Sequence, residues 1–223
     1  MAEAVAAELV ESVGLEPGAS LRVLAQRLGF PVFEPRISAR VRGFCAHEPP
    51  ALFVVPSGSN RRDEFTLGHG IMQLRLPPAL LRSLDEEGRR RVCDFGSSCL
   101  LLPREAFLSS VRELRWDLRA LLARWPNASF DALARRLVQL NEGVAVARQL
   151  GTGWLRRGSL GREIHTTPAV NDAMEALVLG ASEVTVEREG VLARAWRLGP
   201  DHGDAIGMLF TRAGAVPVAK EAA

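Results

Sequence analysis

Residues 63–76 read DEFTLGHGIMQLRL. Phe65, Leu67, Ile71, Met72 and Leu74 recur at the spacing of a mostly buried helix, and Pro77 and Pro78 end it. His69 and Gln73 stand four residues apart, so their side chains leave one face of that helix, with Gly70 beside them.

Upstream, residues 2–13 have a helical pattern that Gly14 stops, and Ser20 is placed to cap a second helix, LRVLAQRLGF. PVFEP reads as a short strand. VRGFCAH and ALFVVP flank Glu48-Pro49-Pro50 as strand, turn and strand. Downstream of a charged stretch, DEEGRRR, the run VCDFGSSCLLL predicts an apolar helix stopped at Pro103, and REAFLSSVREL an amphipathic one. DLRALLARW and FDALARRLVQL, joined by PNAS, give a helix-turn-helix pattern over residues 117–140, with Leu133, Leu137 and Leu140 as its buried stripe. Beyond residue 150, GTGWLRRGSLGREIHTTP reads as a flexible basic linker and AVNDAMEALVLG as a helix. SEVTVERE, GVLARAWRLG and DAIGMLFTR read as a small antiparallel meander.

Composition narrows the function classes. The 223 residues are 47% hydrophobic and 24% charged, which suits a globular protein with a sizeable core. A net charge of +2, nearly all of its cations arginine, is too small an excess to argue for nucleic acid. Three cysteines, Cys45, Cys93 and Cys99, are odd in number and lack C-x-x-C spacing, so reduced thiols are expected and not a disulfide framework. The opening MAEAVAAELVESVGLEPG lacks the order of a signal peptide, and the longest apolar runs fall short of the roughly 18 residues of a membrane helix. A cytoplasmic location with no membrane partner is expected.

Three motifs in one order carry a resemblance. RRDEFTLGHGIMQL is similar to R-F-T-L-A-H-E-L-G-H-L, VCDFGSSCLLLPREAF to E-A-N-x-F-A-A-x-L-L-M-P-x-x-x-F, and ALARRLVQL to the helix that often follows. Together they resemble the ImmA/IrrE family of bacterial metallopeptidases over about residues 15–140. The resemblance implies an α+β fold with a zincin-like core, a small twisted sheet against helices; the residue patterns add a helix-turn-helix pair and, beyond the resembling stretch, a small C-terminal α+β module. The corresponding boundaries are 1–110 for the zincin-type domain, 111–150 for the helix pair and 151–223 for the C-terminal module.

In the resembling enzymes zinc needs three protein ligands and an open position for water. His69 matches the first ligand. Gln73 stands in the place of the second, Val92 in that of the carboxylate third ligand, and Gly70 in that of the glutamate base. Asp94, two residues past Val92, is expected nearly opposite on its helix and therefore a poor substitute. No catalytic, metal or cofactor-binding residue is assigned: the site at His69, Gly70, Gln73 and Val92 is degenerate, and zinc belongs to the resembling family only. A lone histidine on an apolar helix is most often a hydrogen-bonded packing residue. His47, His165 and His202 read as isolated surface or loop residues, Ser97-Ser98-Cys99 as small residues on a packed helix, and Glu64 as pointing to another face.

These readings predict a non-catalytic pseudo-protease that binds a protein partner, such as a helix-turn-helix repressor, in transcriptional or stress regulation. Two alternatives stay open: an active metallopeptidase with altered ligands that cleaves a repressor, and a DNA-binding regulator. DNA is not favoured, because Asp131 sits in the first turn of the would-be recognition helix. The C-terminal module could serve a homodimer, ligand sensing or partner choice.

Overall fold

The computed structural model describes residues 1–36, 41–140, 144–150, 153–158, 167–198 and 205–212. The chain divides into two compact units, Met1–Leu108 with Arg124–Ser129, and Ser109–Ala123 with Phe130–Ala223. No helix among the described residues is long and apolar enough to cross a membrane.

In the first unit, α1 (Ala2–Val13) ends at Gly14, whose left-handed backbone (φ 61°) favours a residue without a Cβ. α2 (Leu21–Arg27) starts at Ser20, whose hydroxyl accepts the Arg22 N–H. A three-stranded sheet follows, formed by β1 (Val32–Phe33), β2 (Gly43–His47) and β3 (Pro50–Val54) in the order β1-β3-β2. β1 runs parallel and β2 antiparallel to β3. Strand alternation sorts the faces. Leu52 and Val54 are buried, while Phe33, Phe53 and Phe44 stack in a cross-strand row, centroids 5.2 and 4.4 Å apart.

The helix that carries the opening stretch, α3 (Asn60–Arg75), packs on β2 and β3. α4 (Pro78–Ser83) is a short turn of helix after the proline pair. α5 (Glu86–Leu101) lies along α3, and α1 covers α5. The charged DEEGRRR is the start of α5 and not a separate stretch: Asp85 caps it by accepting the Gly88 N–H at 2.7 Å. α3 and α5 meet so closely that a Cβ on Gly68 would strike the Ser97 hydroxyl, and one on Gly96 would come within 2.5 Å of Met72 Cε. This contact sets the rotation of α5 about its own axis. α6 (Arg104–Glu113) begins in this unit and ends in the second, which also holds α7 (Leu118–Arg124) up to Ala123.

The second unit carries α8 (Phe130–Leu140) and a five-stranded antiparallel sheet. Its strands are β4 (Val144–Leu150), β5 (Gly153–Gly158), β6 (Glu183–Arg188), β7 (Val191–Arg197) and β8 (Ile206–Arg212), in the order β5-β4-β8-β7-β6. α9 (Pro168–Val178) covers one face, with Ala169, Val170, Ala173 and Leu177 against Ala193, Ala195, Met208 and Phe210. α8 packs against β4 and β5.

One expectation changes here. The basic linker is in part a strand: β5 pairs with β4 from Ala145↔Gly158 to Leu150↔Gly153, so the meander of three strands becomes a sheet of five. Ladder pairing overrides the weak strand signal of GWLRRG, whose glycines and adjacent arginines hide the alternation. α8 falls in the same compact unit as the C-terminal sheet.

Candidate functional site

His69 leaves α3 toward a cleft of about 580 Å³ in the first unit. Gln73, one turn on, lines it with His69, as do Leu74, Leu76 and Cys93. Helical spacing brings Glu86, Arg89, Arg90 and Cys93 of α5 to the opposite wall, and strand alternation brings His47 there from β2. His47 is exposed, as expected of a surface residue, and it also lines the cleft. Its Nε2 lies 4.0 Å from Cys45 Sγ, two residues away on the same face of the strand. The period of GFCAH carried that signal; what it lacked was the side on which α3 would pack.

Asp94 is the larger surprise. Its Oδ1 lies 2.9 Å from His69 Nδ1, and its Oδ2 accepts from Arg90 Nη1 at 3.3 Å. A carboxylate only accepts, so Nδ1 carries the proton and Nε2 is left toward the cleft. Val92, the expected match to the third ligand, does not line the cleft. The rotation of α5 presents Arg90, Cys93 and Asp94 to α3 instead, which corrects the expectation that Asp94 lies away from His69.

The remaining positions follow from packing. A Cβ on Gly70 would lie 2.7 Å from Leu52 Cδ2, so the buried Leu52 side chain fills the space where a catalytic base would begin. Glu64, 2% exposed, accepts the Leu21 N–H at 2.6 Å and the Ser20 hydroxyl at 2.5 Å. It pins the start of α2 and takes no part in the cleft. Ser97 donates to the Phe65 carbonyl at 2.8 Å and Ser98 to the Asp94 carbonyl at 3.1 Å, as small residues on a packed helix do. His165 and His202 lie outside the described residues.

The electrostatics do not favour a nucleophile. Burial, then the Asp94 carboxylate and Cys45, push the Cys93 thiol up to about 11, and burial also raises Cys45. Both are therefore protonated thiols at neutral pH, and the thiolate is the reactive form. Hydrogen bonds from Arg90 and then Arg91 hold Glu87 down at about 2, so this outer turn of α5 is a solvated ion-pair cluster.

A protein-family model described as an IrrE N-terminal-like domain matches residues 25–138, just over half of the chain. The chain belongs to that family. No curated protein sequence matches it. Among solved structures, a Mycobacterium tuberculosis transcriptional regulator is similar with a TM-score of 0.67 at 15% identity, over 95% of this chain and 75% of that one. That likeness is one of fold.

Measured against the zinc that the IrrE-like fold family implies, the donors here do not fit. His69 offers one imidazole nitrogen, while the Gln73 amide oxygen is a weak zinc donor and Gly70 supplies no base. Asp94 is engaged at both oxygens, by His69 and Arg90. Among the described residues, no group of three or more His, Cys, Asp or Glu is placed to hold a metal ion. The Asp94 carboxylate on Nδ1 of His69 fixes the imidazole, as a carboxylate behind a metal-bound histidine does elsewhere. Without further ligands and a base it activates no water.

Proposed function

We propose that this IrrE-like chain is a non-catalytic regulatory protein that holds a protein partner, a helix-turn-helix repressor being the class implied by the family resemblance. The observation that carries this reading is β2. It is a five-residue edge strand, paired on one side to β3 and unpaired on the other among the described residues. An extended segment can add to such an edge through backbone hydrogen bonds alone, which loss of the metal donors leaves intact. The structurally similar protein is named a transcriptional regulator, which supports the regulatory class.

DNA contact through α8 is disfavoured. Phe130, Leu133, Arg136 and Leu137 are buried in its unit, and Arg135 is bonded to Asp131 at 2.9 Å. The test is hydrogen–deuterium exchange of the full chain with the products of the adjacent reading frames. Binding with slowed exchange over residues 43–47 is expected; binding that leaves those amides unprotected, or no binding, overturns the reading.

A further inference from the structure

We infer that the cleft beside His69 is a binding pocket for a small organic anion with an apolar body. Its volume, about 580 Å³, lies within the range of small-molecule sites. Leu74, Leu76, Leu81 and Cys93 give it apolar walls, enough to seat a short alkyl chain or an aryl ring away from water.

The charged groups around it are unbalanced. Arg82, Arg89 and Arg90 line the cleft against one carboxylate, Glu86. Arg90 is spent on Glu87 and Asp94. Arg89 commits one nitrogen to the Leu84 carbonyl at 2.9 Å, and Arg82 makes no polar contact among the described residues. Two guanidinium groups therefore remain for an acidic headgroup, and their planar fork matches carboxylate and phosphate oxygens. Deeper in the same cleft the Gln73 amide has no partner among the described residues, and His69 is held by Asp94 with Nε2 free. These are orienting groups for a polar atom on the ligand, in the place where the catalytic relatives would hold metal. A neutral apolar ligand leaves the arginines unused, and a bare inorganic anion leaves the leucines unused. A molecule carrying both features satisfies the whole lining.

The test uses calorimetric titration of the full chain with octanoate and phenyl phosphate as probes. Octanamide serves as the uncharged control, and inorganic phosphate as the headgroup without a body. Saturable binding of octanoate or phenyl phosphate is expected, with Kd between about 10 µM and 1 mM and at least about tenfold tighter than octanamide or inorganic phosphate. Preference for octanoate or for phenyl phosphate assigns the headgroup as carboxylate or phosphate. The double variant Arg82→Met, Arg89→Met keeps both apolar stems on exposed positions and is expected to lose about tenfold in affinity, with an unchanged circular dichroism spectrum. Equal binding of charged and uncharged probes, an unchanged Kd in the double variant, or no saturation by either anion up to about 10 mM overturns the inference. The partner reading is scored separately, by exchange at residues 43–47, so either can fail alone.

Discussion

His69 on α3 and Asp94 on α5 are joined by a 2.9 Å hydrogen bond between Nδ1 and Oδ1, and that bond ties together the two helices that define the cleft. Both side chains are largely shielded, at 29% and 18% exposure. Asp94→Ala removes this bond and the one from Arg90, and is expected to cost about 1–2 kcal/mol. Urea denaturation with an unchanged slope reads the loss. A midpoint equal to that of the parent would show that the bond contributes nothing.

Glu64 carries a heavier structural load. The buried carboxylate accepts from the Leu21 amide and the Ser20 hydroxyl at the start of α2. Glu64→Ala strands that amide in a dry interior and is expected to destabilise by about 2–3 kcal/mol. Thermal melts of the parent and variant decide it; a shift within the noise would mean that water replaces the carboxylate.

Two glycines of α3 should respond differently to the same methyl group. At Gly68 the new Cβ meets Ser97 and lies 2.8 Å from Leu21 Cδ1, both buried, so Gly68→Ala is expected to cost about 1–3 kcal/mol through overpacking. At Gly70 the single close neighbour is the tip of Leu52, which can turn. Removing a helical glycine gains about 1 kcal/mol, so Gly70→Ala should be near neutral. Equal losses at the two sites would contradict this packing.

The Cys93 thiol gives a pH signature. Held at about 11 against an ordinary 9.0, it favours the folded state as a neutral group. Its contribution is complete below pH 9.0 and is lost as pH rises through about 11, because the unfolded chain ionises first. Iodoacetamide alkylation of native Cys93, followed by peptide mass spectrometry, should accelerate about tenfold per pH unit up to that range. A plateau near pH 9 would place the thiol in an ordinary environment.

The elements that local pattern specifies were legible in the chain itself. Ser20 as a cap, Gly14 as a stop, the α3 and α5 runs, the β2–β3 hairpin and the strands β6 to β8 all follow from periodicity and turn chemistry. β4 and β5 were less legible, since their pairing is made by neighbours remote from or adjacent to a glycine-rich segment that itself reads as a loop. In the site, the gaps at Gly70 and Gln73 were visible at once, because motif positions are local. The bond from His69 to Asp94 was not. It depends on the rotation of α5, which the contacts of Gly68 and Gly96 impose across two helices. For the same reason, restoring a carboxylate at Val92 would not complete a metal centre, since that side chain does not line the cleft.

The cleft beside His69 lacks a donor set for zinc among the described residues, although the family framework around it is kept. The direct measurement is elemental analysis of the full chain, purified without chelator, exposed to an equimolar zinc salt and then desalted. Below about 0.1 mole of zinc per mole of chain is expected, since one imidazole and an amide hold the ion too weakly to survive desalting. Retention of about one mole per mole, abolished by His69→Ala, would contradict it.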